Sequence, residues 1–291
     1  EEIKDSKINI YKSIKWKNFE DSYLNITKNF SYTLVNASKI LNTKKFDLIF
    51  LLGDRYETLS VAIAAHLARI PIAHIHGGEV TSGIIDDAFR HSITKLSHLH
   101  FVSHKDYKNR VAQLGEDKKN IHIVGGLGID SIKNTKLLKR SKLEKILGIK
   151  FLKKNIIINF HPETLNPNQA KKQINEILGA LDSFKDINKI FTMPGADLEN
   201  SFILKKIKSY VFKNKNSFIF KSLGQEVYLS LLNQIDFMLG NSSSGILEMP
   251  YFKKVTINLG ERQTGRIKSK SIIETRIEKN EIVRKIHNFY N

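Results

Sequence analysis

The chain has no cysteine among its 291 residues, which excludes disulfides and thiolate chemistry, whether catalytic or metal-binding. No apolar run approaches the ~20 residues that a membrane-spanning helix requires, and no charged-then-apolar leader opens the sequence. These absences predict a cytoplasmic protein with no membrane partner. Clustered charge is missing too. The formal charge is +18, yet the lysines are scattered among asparagine and isoleucine, as in "NTKKFD", "KKNIIINF" and "FKNKNSF". Nucleic-acid sites concentrate their charge on one stripe, so no nucleic-acid partner is expected and a nucleic-acid-binding protein stays the most remote alternative. The positive field favours an anionic substrate instead.

Two further signatures are absent. "VGGLGID" (124–130) does not match the dinucleotide fingerprint, which needs its glycines between a strand and the helix it opens and an acid about 20 residues on. No nicotinamide cofactor is expected. Metal-ligand spacing is missing as well, because His74 and His76 alternate on one strand and point to opposite faces; one of them is expected in the packing. His91, His98, His100 and His104 read as ordinary polar residues on or beside helices.

What is present is a regular alternation. Hydrophobic residues make up 41% and charged residues 26%, a globular composition, and the length favours two domains. "FDLIFLLGD" (46–54) reads as a strand buried on both faces, and "ETLSVAIAAHLARI" as the helix after it. "PIAHIHGG", "LHFVS" and "NIHIVGG" are further strands, with "DDAFRHSITKLSH" and "HKDYKNRVAQLG" as helices. The rhythm restarts with "NIIINF" (155–160), "KIFTMPG" (189–195), "SFIF" (217–220), "IDFMLG" (235–240) and "KVTINLG" (254–260), with helical patterns between them. Alternation of this kind builds parallel sheets from right-handed βαβ units. The fold class is therefore α/β, with two doubly wound domains facing a cleft, 1–138 and 139–291, and a polar interruption at 134–145 between them.

Ligands of such sheets sit beyond the carboxyl ends of the strands. That rule selects Gly53-Asp54-Arg55, the stretch from His76, His161-Pro162-Glu163, Pro194-Gly195 and "GNSSSGILEMP" (240–250), with Arg55 and Gly195 as candidate substrate contacts. In the last segment a strand delivers Gly240 and Asn241, three hydroxyls follow, and Gly245 lets the chain turn into a helix with Glu248 in its first turns. Free amides and hydroxyls there suit a diphosphate, although one serine would also serve as a helix cap. Asp54, at the end of a buried strand, reads either as an acid–base group or as the cap of the next helix.

"GDRYE", "HIHGGEVTSGIIDDAFRHSITKLSHLHF", "NFHPET", "GNSSSGILEMP" and "INLGERQTGR", in this order over about residues 46–275, resemble the hydrolysing UDP-N-acetylglucosamine 2-epimerases, whose relatives act on a diacetylated bacillosamine nucleotide. The resemblance implies the B-type glycosyltransferase architecture, two Rossmann-like domains around a nucleotide-sugar cleft. It implies no metal or redox cofactor, a UDP-sugar or GDP-sugar as substrate, and a homodimer or homotetramer; a glycosyltransferase of the same fold is the nearest alternative. Two departures stand out. The family's opening strand with its Gly-Thr-Arg motif has no counterpart before Asp47, so the first sheet is expected to lack an N-terminal strand. Some relatives also carry a glutamate 22 residues after the aspartate of "GD", where this chain has His76, with Glu79 three residues on.

The reaction implied is anti elimination of the nucleotide diphosphate to a glycal, then hydration with reprotonation of C2 from the opposite face. Products are the free manno-configured sugar, an N-acetylmannosamine-type precursor of sialic acid, and UDP. By resemblance, Asp54, Asp86 and His76 or Glu79 serve the sugar, and His161 contacts the leaving diphosphate. Ser242, Ser243, Ser244, Gly245 and Glu248 match the diphosphate and ribose sites. Arg262, Gln263 and Arg266 clamp phosphate or stabilise their turn.

Overall fold

In the computed structural model, residues 8–15, 22–81, 85–161, 169–193 and 200–291 are described. They form two compact units, one of residues up to Thr81 with Ile85–Gly126, the other within Leu127–Asn291.

The first unit begins with α1 (Tyr23–Leu41), capped by Ser22, whose hydroxyl accepts the backbone N–H of Asn25 at 3.3 Å. Then follow β1 (Ile49–Leu52), α2 (Tyr56–Leu67), β2 (Ile72–Ile75), α3 (Asp86–Leu96), β3 (Leu99–Val102), α4 (Lys105–Gln113) and β4 (Ile121–Ile123). The sheet has the order β1-β2-β3-β4 and is parallel throughout. Leu51 and Ile72 of the sheet pack against Leu59, Ala62 and Ala65 of α2 and Ile93 of α3. Burying each of the larger of these side chains contributes about 1.5–3 kcal/mol.

The second unit comprises α5 (Leu127–Asn134), α6 (Arg140–Leu147), β5 (Lys154–Asn159), α7 (Ala170–Leu181), β6 (Ile187–Thr192), α8 (Asn200–Lys213), β7 (Ser217–Phe220), α9 (Gly224–Gln234), β8 (Phe237–Gly240), α10 (Ser243–Leu247), β9 (Val255–Leu259), β10 (Ile272–Thr275) and α11 (Lys279–Tyr290). Its six strands run in the order β10-β9-β8-β5-β6-β7, all parallel. Alternate residues of β5 serve opposite cores: Ile156 and Ile158 join α7, α8 and α11, while Ile157 joins α6 and α9. That is the continuous apolar run of a strand covered on both faces.

Three expectations change. The run 46–54 is not buried on both faces, since Phe50 and Leu52 are 61% and 58% exposed. They point away from the face covered by α2 and α3, and Phe50 stacks on Phe101, which stacks on His122. The packing changes unit between Gly126 and Leu127, ahead of the expected 138, because Ile129, Ile132 and Leu138 are drawn into the second core. The polar stretch 134–145 also contains a helix start, as Leu143 and Leu147, spaced one turn apart, are buried there. Strand β10 was not anticipated.

Candidate active site

At the carboxyl end of the first sheet, β1 leads to Gly53, whose φ of 99° turns the chain sharply into Asp54. A left-handed backbone of this kind favours glycine. His74, fully buried on β2, places Nε2 3.1 Å from the Gly53 carbonyl and Nδ1 3.2 Å from the Thr94 hydroxyl. A carbonyl only accepts, so in the neutral ring Nε2 carries the proton, and Nδ1 competes with the Arg90 carbonyl, 3.0 Å from the same hydroxyl, for the single Thr94 proton. Burial holds the His74 imidazole down at about 4, with the Gly53 carbonyl opposing it. It is the histidine expected in the packing.

Asp54 does not cap α2. Arg55 occupies that position without a side-chain cap bond, and its guanidinium pairs with Glu57 at 3.3 Å on the surface. The Asp54 carboxylate instead accepts from Nη2 of Arg90, a residue of α3 that is 1% exposed. The same guanidinium donates to the Thr81 hydroxyl at 3.1 Å, the Glu79 carbonyl at 3.0 Å and Asp87 Oδ1 at 3.0 Å. Asp87 Oδ1 also accepts the Thr81 N–H at 2.7 Å. A planar fork with five donors is the side chain able to serve so many acceptors at once. Asp86 opens α3 beside this network and is partly buried. The sequence reading missed Arg90; its spacing from Asp86 and Asp87, one turn along a helix, was the available signal.

Beyond β2 lies His76, with a φ of 65°. Its Nδ1 is 3.2 Å from Oε1 of buried Glu79, which also accepts from the Ser103 hydroxyl at 3.4 Å. His100 was read as an ordinary polar residue beside a helix, but it lies within β3 and is fully buried against Glu116, with Nε2–Oε2 3.2 Å. Burial lowers its basicity below that of an ordinary histidine.

In the second unit, the loops after β5 and β8 leave adjacent strands whose chain connections run in opposite directions along the sheet. This is the topological switch point, where open α/β sheets bind ligands. Asn241, fully buried, joins the two loops: its Oδ1 accepts the His161 N–H and its Nδ2 donates to the His161 carbonyl, each at 2.8 Å. Gln263 Nε2 and Arg262 Nη1 donate to the Asn241 carbonyl at 2.7 and 3.2 Å. Arg266 follows in the same turn, its N–H directed at the Gln263 carbonyl at 3.4 Å. Gly240 is required by space, since a Cβ there would overlap the Asn159 carbonyl.

The three serines divide. Ser242 caps α10, accepting from Ser244 N–H at 3.4 Å. Ser244 Oγ donates to Glu248 Oε2 at 2.5 Å and accepts from the Tyr228 hydroxyl at 2.7 Å. Ser243 makes neither contact and is partly exposed. Burial raises the Glu248 carboxyl above the usual range, and the Ser244 hydrogen bond opposes that rise. The Tyr228 hydroxyl, also buried, is pushed up to about 12. Gly245 packs against Thr256 and Met238, leaving little room for a side chain. Tyr228 and the role of Asn241 were not read from the sequence. Gly195, with Pro194 and Glu163, lies outside the described residues.

Residues 2–291 match the family model described as UDP-N-acetylglucosamine 2-epimerase. The chain belongs to that family. It is 41% identical over 259 residues to the GDP/UDP-N,N'-diacetylbacillosamine 2-epimerase (hydrolyzing) of Campylobacter jejuni subsp. jejuni serotype O:2, covering 88% of this chain and 67% of that one. It is 38% identical over 286 residues to the polysialic acid biosynthesis protein P7 of Escherichia coli, covering 98% and 73%. Among solved structures, the S. aureus MnaA–UDP co-structure matches with a TM-score of 0.78 at 15% identity, over 99% of this chain and 77% of that one. The Methanocaldococcus jannaschii UDP-GlcNAc 2-epimerase in complex with UDP-GlcNAc and UDP matches with a TM-score of 0.77 at 18% identity, over 94% and 76%. At these identities the structural likeness speaks for the fold, which is the α/β architecture of two parallel-sheet, Rossmann-like units.

Proposed function

We propose that this chain is a hydrolysing nucleotide-sugar 2-epimerase, which releases the manno-configured sugar and a nucleotide diphosphate from UDP-N-acetylglucosamine or a UDP- or GDP-linked diacetamido sugar. The observation that carries this reading is the gathering of Asp54, Asp87 and the Glu79 backbone around Arg90 at the carboxyl end of the first sheet, with His76 on the Glu79 carboxylate and Asp86 at the start of α3. Elimination across C1–C2 needs a group to take the C2 proton, and reprotonation from the other face needs a second. Cleavage of C1–O leaves positive charge on the ring, which nearby carboxylates stabilise. Several proton carriers in one place answer both needs.

The nucleotide is assigned to the second unit. Ser243, His161 and the Arg262–Arg266 turn supply neutral or cationic donors for a diphosphate. Glu248 is suited to a ribose diol. The names of the relatives support an epimerase over a glycosyltransferase. The E. coli relative's name supports an N-acetylmannosamine-type product on a sialic acid route. The reading further assigns a cytoplasmic homodimer or homotetramer; no helix of the described residues is long and apolar enough to cross a membrane.

Proton NMR in deuterated water tests the reaction. Incubation with UDP-N-acetylglucosamine, and separately with its diacetamido counterpart, should yield free manno sugar carrying deuterium at C2. Release of unepimerised sugar, or transfer to an acceptor without C2 exchange, would overturn the proposal.

A further inference from the structure

We infer that His76 is the base that removes the C2 proton and that Glu79 is its positioning residue, a refinement that rests on the epimerase reading. His76 is held with φ at 65°, in the left-handed region that few residues with a side chain adopt, though asparagine, aspartate and histidine do so more readily than the rest. Its own N–H donates to the Phe101 carbonyl at 2.9 Å, fixing that backbone at the end of β2. Strain retained at a strand end beside a cluster of acids is a mark of a working side chain.

The dyad geometry supplies the second, independent observation. The Glu79 side chain is 6% exposed, whereas the His76 ring is 22% exposed. A carboxylate only accepts hydrogen bonds, so the 3.2 Å contact places the proton of a neutral ring on Nδ1. The lone pair then lies on Nε2. Ser103 Oγ reaches the same carboxylate at 3.4 Å, and the Glu79 carbonyl is held by Arg90 at 3.0 Å. Glu79 is therefore fixed from both ends, with a ring on it that is partly open to solvent. A buried carboxylate behind an imidazole sets the tautomer and stabilises the imidazolium that forms.

The step balances without a co-reactant. Nε2 takes H2 as a proton, the C2–H electron pair becomes the C1=C2 bond, and the C1–O pair departs with the nucleotide diphosphate. The imidazolium faces the Glu79 carboxylate. Hydration then adds water oxygen to C1 while a different group delivers a proton to the opposite face of C2; the proton that the water loses restores that group, and the imidazolium gives its own proton to solvent.

The test uses the full chain, UDP-N-acetylglucosamine and its diacetamido counterpart, in deuterated water. His76→Gly suits the left-handed backbone and leaves a hole for added imidazole. It should lose about 100-fold or more in kcat with little change in KM, keep its melting temperature, and recover turnover and C2 deuteration when imidazole is added. Glu79→Gln should lose less, about 10-fold or more, and the double variant should be no slower than His76→Gly, because Glu79 acts through the ring. A His76→Gly turnover within about 3-fold of an active parent, or losses that multiply in the double variant, would overturn the assignment alone. A slow His76→Gly that imidazole fails to accelerate would also overturn it. A parent that forms no C2-deuterated free sugar overturns the epimerase reading, and this assignment with it.

Discussion

Arg90 on α3 and Asp54 beyond β1, thirty-six residues apart, form an ion pair in which the arginine is almost wholly buried and the aspartate is 27% exposed. The pair orients the one carboxylate that ends the first strand. Its partner cannot move without disturbing Thr81, Glu79 and Asp87, which share the same guanidinium. A substitution at either member therefore separates chemistry from scaffolding.

Asp54→Asn keeps the size and a hydrogen-bond acceptor for Arg90 but removes the charge. Turnover is expected to fall by roughly 10²–10⁴-fold, the range for a lost acid or base. Stability should fall by about 1–3 kcal/mol, the scale of a hydrogen bond to a charged group. Steady-state kinetics and urea unfolding on the same protein check this. Parental turnover with reduced stability would make Asp54 a purely structural partner.

Arg90→Met should be costlier to the fold. It leaves Asp54 and Asp87 without their shared cation, and breaking a buried pair from one side costs about 3–5 kcal/mol. Combined with Asp54→Asn, the loss should be smaller than the sum of the two by about 0.5–3 kcal/mol, since contacting residues couple. Additive unfolding energies would contradict the shared network.

The serines of α10 should behave differently from one another. Ser244→Ala removes the donor to half-buried Glu248 and the acceptor of Tyr228, so stability should fall by about 1–3 kcal/mol. Ser243→Ala should leave stability within about 0.5 kcal/mol yet weaken UDP binding by about 1–3 kcal/mol if that hydroxyl meets the diphosphate. Calorimetry with UDP and thermal unfolding measure both. Equal UDP affinity in the Ser243 variant would remove it from the nucleotide site.

The strand ends were legible in the sequence because glycine, histidine and carboxylate residues interrupt continuous apolar runs there. Asp54, His76 and Asn241 all lie where a run such as "DLIFLL" or "DFML" stops. Packing against a distant partner was not legible. Nothing local marks Asn241 as the clamp of His161, eighty residues away, or Arg90 as the partner of Asp54. Helix α1 escaped notice because "YLNITKNFSYTLVNASKIL" mixes asparagine, threonine and valine, weak helix formers, and its stability comes from packing Phe30 and Leu41 against the first core. His100 sits in the run "LHFVS" that read as a strand, but its burial was missed because nothing local shows that Glu116, sixteen residues on, meets its ring.

Acid sensitivity should centre on His74. Its folded value of about 4 lies below the ordinary 6.5, through burial on β2. Between those two values the unfolded chain holds a proton that the folded one does not. Stability therefore rises with pH across that window and falls as pH drops through it. The full loss, reached near pH 4, is about 3 kcal/mol, since each pH unit separating the two values contributes roughly 1.36 kcal/mol. Burial lowers His91 and His100 in the same direction, which adds to the slope. His74→Gln retains a donor for the Gly53 carbonyl but no titrating ring. Urea unfolding followed from pH 7 to pH 4 should show a markedly shallower decline in that variant than in the parent, though a decline still, from His91 and His100. Identical slopes in the two proteins would mean that folding leaves the His74 proton equilibrium unshifted, and burial on β2 would then not be what makes the fold acid-sensitive.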